Sequence, residues 1–196
     1  MAKKTAKKTV KKASKTASKY VENGLKAFSI HGADESSKHI IAALRAEEPT
    51  HPAFVFAAAA GVTSADPETV ARRYLDQALG SDSLPNFTAP VADKVPSEFK
   101  SLGTESIPLT GTTIVKFRQN FSKIPVYGSL VTVELDEADK LLGIHSALGT
   151  PKSVSPVAKI SPADAVKAAK AYPGHTKNLE NIVPRLNYYF DGASSK

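Results

Sequence analysis

Apolar and polar positions alternate most regularly between Thr112 and Leu148, TTIVKFRQNFSKIPVYGSLVTVELDEADKLLGIHSAL. Thr112 to Phe121 concentrates β-branched and aromatic residues and predicts a strand, with Ser122-Lys123 as the turn that follows. Pro125 to Leu135 is a second run, in which Val131, Val133 and Leu135 share one face while Thr132 and Glu134 share the other. The polar stretch Asp136-Glu137-Ala138-Asp139-Lys140 predicts a turn, and Leu141 to Leu148 a third strand. Sequential strands with short connections usually pair as neighbours, so the expectation is an antiparallel meander.

Around this ribbon the period changes from two to 3.6. Ser36 to Ala46 places Ile40, Ile41, Ala43 and Leu44 toward one side of a helix, and Glu47-Glu48-Pro49 ends it. Asp66-Pro67-Glu68 predicts a second helix, with Asp66 as N-cap, proline in the first turn and an acid at the positive end of the dipole. Its stripe is Val70, Ala71, Tyr74, Leu75, Ala78 and Leu79, Gly80 is the expected stop, and the helix should lie across one face of the meander. Ser161-Pro162-Ala163-Asp164 has the composition of a capping box and predicts a helix to about Ala171, stopped by Pro173-Gly174. Pro184 to Phe190 reads as a strand and Asp191-Gly192 as a hairpin turn. Ser81 to Leu109 reads as a polar, proline-dotted connection with a short strand at Pro108, and Pro151 to Pro156 as a linker. Ala53 to Val62 is apolar and reads as a buried strand or helix start. The fold class expected is α+β, an antiparallel meander packed against helices.

Composition changes this picture at one end only. Of 196 residues, 41% are hydrophobic and 23% charged, ordinary values for a globular chain. The net charge of +7 is not spread evenly. Met1 to Lys19 carries Lys3, Lys4, Lys7, Lys8, Lys11, Lys12, Lys15 and Lys19 and no acid, so the rest of the chain is close to neutral. Such a segment buries too little apolar surface to offset its ordering entropy and is expected to be a disordered basic tail. Either it is an arm for nucleic acid or another polyanion, or it is a solvated tail without a dedicated partner. The first aromatic is Tyr20, which argues against base stacking within the arm. Cysteine is absent, which excludes disulfides and thiolate metal sites. No apolar run approaches the ~18 residues of a membrane helix. The lysine-rich start is not followed by the apolar core of a signal peptide, so the expectation is a cytoplasmic chain as it stands.

The residues Phe117-Arg118-Gln119-Asn120-Phe121, then Ile124-Pro125-Val126-Tyr127-Gly128, then Val131-Thr132-Val133 follow one another in an order that resembles the FTP domain, the propeptide module of fungalysin- and thermolysin-type metalloproteases. The resemblance extends upstream through Leu102-Gly103-Thr104 and Ile107-Pro108-Leu109-Thr110-Gly111. Two positions depart from the family pattern: Lys123 stands where a glycine is usual, and Asp139-Lys140 stands for Asp-Gly. Phe117, Gln119, Pro125, Val126, Gly128, Val131 and Val133 are the positions that define the motif. Ile160-Ser161-Pro162-Ala163-Asp164-Ala165 resembles the opening of the PepSY-type module that follows FTP in such precursors. The resemblance implies a cystatin-like propeptide architecture, a secreted family and, as partner, a thermolysin-like catalytic domain met in cis or in trans. Division of the chain into a tail (1–19), a helical or irregular lead-in (20–63), an FTP-like domain (64–150) and a partial PepSY-like module (151–196) follows.

Chemistry of its own is not expected. The zinc-peptidase signature His-Glu-x-x-His is absent, and His31, His39, His51, His145 and His175 are nowhere spaced by three to five residues. There is no nucleophile elbow and no phosphate-cradling glycine loop. Asp136, Glu137 and Asp139 lack the pattern of a calcium loop and read as a charged hairpin tip. No enzyme, cofactor or metal is therefore expected. Arg118, Gln119 and Tyr127 are the candidate partner-binding residues. For Arg118 and Gln119 the competing role is to fix strand pairing or to cap a buried carbonyl. A sheet left unfinished at its edge would offer a third partner, a second copy of the chain.

Overall fold

The computed structural model describes residues 24–46, 66–171 and 183–190. The lysine tail, Ala53 to Val62, the stops at Glu47-Glu48-Pro49 and Pro173-Gly174, and the Asp191-Gly192 turn lie outside the described residues. In chain order the elements are β1 (Lys26–His31), α1 (Lys38–Ala46), α2 (Pro67–Gly80), β2 (Val91–Ala92), β3 (Val95–Pro96), β4 (Glu98–Ile107), β5 (Thr112–Phe121), β6 (Ile124–Pro125), β7 (Leu130–Leu135), β8 (Leu141–Leu148) and α3 (Pro162–Ala171).

The long strands form one antiparallel sheet in the order β1-β8-β7-β5-β4, with β6 pairing β5, and β2 and β3 form a separate small hairpin. β5, β7 and β8 are the expected meander. Val131, Val133 and Leu135 point into the core together, as their period of two requires. Helices α1 and α2 cover that face, where Ile41, Leu44, Val70, Ala71, Tyr74, Leu75 and Ala78 meet Val115, Phe117, Val131, Val133, Leu135 and Ile144. α2 starts as its sequence dictates: the Asp66 carboxylate accepts the Thr69 N–H at 3.3 Å and Pro67 takes the first turn. Arg72 ties it to the sheet, donating to Phe99 O at 2.7 Å with its guanidinium 4.9 Å from the Phe117 ring centre.

Five local expectations need correction. Ser81 to Leu109 holds a ten-residue strand, β4, paired along β5, where a connection was expected. It was hidden because its side chains are mostly exposed, so no apolar alternation marks it. A bulge between Ser101 and Gly103, with Gly103 at φ 131, interrupts its register and blunts the outer edge. The lead-in contributes β1 as well as helix α1, and β1 pairs with β8 from Lys26↔Leu148 to His31↔Gly143. The run from Pro125 to Leu135 is broken in two, because Val126 to Ser129 leaves the ladder between β6 and β7. Ala43 is exposed on α1. Gly80 is the last helical residue and not a left-handed stop; the chain leaves through Ser81 in an extended conformation.

α3 begins as predicted. Ser161 Oγ accepts the Asp164 N–H at 3.1 Å and donates to Asp164 Oδ2 at 2.7 Å. None of its residues is buried. Pro184 to Phe190 makes only one bridge, Val126↔Tyr188, and that bridge is parallel. Among the described residues no helix is long and apolar enough to cross a membrane.

Candidate protein-docking surface

The motif residues group around the break between β6 and β7. Ile124 is paired to Phe121 across Ser122 and Lys123, both at positive φ (48° and 67°), as a two-residue hairpin of type I′ needs. Asn-Gly usually supplies these angles; here Lys123 adopts one of them without a glycine. Val126 then turns fully inward, Tyr127 turns out with 61% of its surface exposed, and Gly128 takes φ 76°. A chain leaving a ladder orphans backbone groups, and these are recovered locally. The Val126 N–H donates to Gln119 O at 2.9 Å, and the Gln119 N–H is accepted by Ser129 Oγ at 3.2 Å. Ser129 Oγ in turn donates to Val126 O at 2.8 Å. Ser129 thus replaces a strand partner, a role the sequence reading did not assign.

Gln119 itself is fully buried. Its Nε2 donates to Gly149 O at 2.9 Å, and its Oε1 accepts the Gly149 N–H at 3.0 Å. One side-chain amide therefore satisfies both backbone groups of the residue after β8, across thirty positions of sequence. Its surface is closed to any partner. Phe117, Val126, Val131 and Val133 are also fully buried, and Pro125 pairs with Asn120.

Arg118 is placed differently. It lies on the sheet face away from the helices, directly opposite Lys100 in the β4–β5 register. Among the described residues neither cation has an acidic partner, and Arg118 Nε is buried without a hydrogen bond. Like charges facing each other across a ladder repel, so this part of the face favours an anionic group. Two register pairs further along, Lys116 is neutralised diagonally by Glu105 at 2.6 Å. That contact holds the Glu105 carboxyl below its ordinary range, first through the hydrogen bond from Lys116 and then through its charge.

The same face carries His31, Glu134 and His145 on three adjacent strands. Glu134 lies 3.7 Å from His31 Nε2 and 3.6 Å from His145 Nε2, across a notch left by Gly143, which pairs with both His31 and Glu134. The cluster does not suit a metal. His31 Nδ1 accepts the Ala33 N–H at 3.1 Å, so in the neutral ring Nε2 carries the proton and has no lone pair to offer. Among the described residues no group of three such side chains is arranged to hold a metal ion. His39 is exposed on α1, and His51 and His175 lie outside the described residues. Asp136 organises its own hairpin tip, accepting the Ala138 and Lys140 N–H groups at 2.9 Å each.

A second aromatic cluster stands at the sheet end beside β6. Leu25, Phe121 and Val126 are buried there, with Tyr188 and Phe190 packed on them. Outside it Tyr127 and Tyr189, both largely exposed, face each other with ring centres 5.6 Å apart. Tyr127 and Tyr189 thus form an exposed aromatic pair over this small buried cluster.

Residues 97–148 match the family model described as the Fungalysin/Thermolysin Propeptide Motif. The matched segment covers β4 to β8 of the sheet. No curated protein and no solved structure matches the chain.

Proposed function

We propose that the chain is a non-catalytic propeptide-type module that binds the catalytic domain of a thermolysin-like zinc metalloprotease, in cis or in trans, assisting its folding and holding it inactive. The match over residues 97–148 carries this reading, because the matched segment is one continuous run of paired antiparallel strands, held on one face by helices α1 and α2. A preformed surface binds without the ordering cost that a flexible segment incurs. On that surface Tyr127 is the exposed aromatic anchor and Arg118 the cation for an acidic group of the partner. Gln119 acts from inside, by setting the end of β8. The capped helix opening at Ile160 to Ala165 supports reading residues 151–196 as the start of a PepSY-like module behind the FTP-like unit.

The test is titration of the full chain into thermolysin and into a fungalysin catalytic domain. Saturable binding with loss of proteolytic rate is expected. Arg118→Glu and Tyr127→Ala should each weaken binding by roughly ten-fold or more without lowering the melting temperature, since both side chains lie outside the core and a glutamate at 118 faces Lys100 across the ladder. Absence of saturable binding to either domain overturns the reading.

A further inference from the structure

The bridge at Val126 has the chemistry of strand addition. Tyr188 N–H donates to Pro125 O at 2.9 Å, and Tyr127 N–H donates to Tyr188 O at 2.8 Å. Two aromatic side chains two positions apart complete the contact. The Tyr188 ring stands edge-on to Phe121 with centres 6.2 Å apart. Phe190 lies over Gly24 and Gly149, where a Cβ on either glycine would run into its ring. The pocket for that ring exists because both positions lack a side chain.

We infer that this groove is an acceptor site for an extended segment of another protein with aromatic side chains two positions apart, and that residues 187–190 of the chain hold it as a displaceable occupant. The inference does not depend on a protease being the partner. The acceptor side is built into the core: Leu25, Phe121 and Val126 are buried together, Phe121 pairs with Ile124, and the Val126 N–H donates to Gln119 O. The occupant is held lightly. Val183, Leu186 and Tyr189 remain largely exposed, and α3, which precedes it, buries nothing. A cavity of about 180 Å³ stays open between Ile124, residues 150–155 and the strap itself. A segment with a bulkier side chain there would bury more apolar surface than Leu186 and Asn187 do, and so displace them.

A second copy of the chain is the weaker competitor. It brings the same strap at the same intrinsic affinity, against a tethered strap whose effective concentration is on the order of millimolar. Only a better-fitting segment overcomes that advantage.

The probe is a fluorescent peptide with the sequence of Pro184 to Phe190, titrated by anisotropy into the full chain and into its Tyr188→Ser, Phe190→Ser double variant. The variant should bind it saturably, at least ten-fold tighter than the wild type, and a peptide with serine in place of its phenylalanine should not bind. No binding to a variant that still melts cooperatively, or equal binding to both proteins, overturns the proposal. Amide exchange on the wild type gives a readout free of the variant's folding. The Tyr127 and Tyr188 amides should exchange at least a hundred-fold faster than those of Val131 and Val133, and equal protection refutes a displaceable strap. Sedimentation of the wild type at roughly 0.05 millimolar, well below the effective concentration of the tethered strap, should show a monomer. A dimer abolished by the double substitution would assign the site to a second copy and overturn the assignment to a foreign segment.

Discussion

Substitution of Gln119 by leucine separates the two roles open to this residue. Leucine has nearly the same volume, so packing around Phe117 and Val126 changes little. What is lost is the pair of hydrogen bonds to Gly149, at 2.9 and 3.0 Å, in a place without exposed surface. Gly149 is itself buried, so its N–H and C=O would be left without partners. Each such group costs about 1–3 kcal/mol, and partial relaxation of the β8 end lowers the sum to roughly 2–4 kcal/mol. That corresponds to a fall in melting temperature on the order of 10 °C. Urea unfolding followed by circular dichroism measures it, with an unchanged slope expected because the unfolded surface is the same. Gln119→Glu adds a pH signature. A carboxyl in that dry position is expected to titrate above its unfolded value, so its stability is present below the unfolded pKa and is lost as pH rises through the folded one. This variant should approach the wild type near pH 4 and fall away toward pH 7. If Gln119→Leu lies within about 0.5 kcal/mol of the wild type, the clamp is not a stabilising element and the argument fails. Weakened partner binding at unchanged stability would place Gln119 on the docking surface instead.

Three further outcomes are expected. Replacing Ser122-Lys123 by Asn-Gly should stabilise the fold by about 1 kcal/mol, because both positions hold positive φ without a glycine; a lower melting temperature would refute the turn assignment. The two capping residues should behave differently. Asp66→Ala should cost about 1 kcal/mol, whereas Ser161→Ala should leave the cooperative melt within about 0.3 kcal/mol, since α2 packs on the sheet and α3 buries nothing. Lys116→Met should let the Glu105 carboxyl titrate nearer its ordinary value, as read by carboxyl-carbon NMR. A lowered folded pKa stabilises above the unfolded value and is lost as pH falls through the folded one, so this small contribution should vanish on acidification in the wild type alone.

Elements that local chemistry specifies could be read from the chain directly. β5 and β8 carry their β-branched and apolar signals within one short window, and α2 and α3 announce themselves by Asp66-Pro67 and Ser161-Pro162, whose caps close over three residues. The propeptide-type motif was legible for the same reason, since its residues follow one another over the ribbon. The rest depended on partners distant in sequence. β4 is an exposed edge strand defined by its pairing to β5 and interrupted by a bulge, so no face of it is consistently apolar. β1 became a strand because β8 offered it a free ladder 116 positions away, at Ser29 and His145. The break at Val126 to Ser129 is tolerated because Ser129 and Gln119 recover the orphaned backbone groups, and nothing in composition predicts which hydroxyl reaches which amide. Periodicity tells which side chains must leave water; only the assembled sheet decides which backbone groups each buried polar side chain must satisfy, and that decision made Gln119 an internal clamp and left Arg118 and Tyr127 facing out.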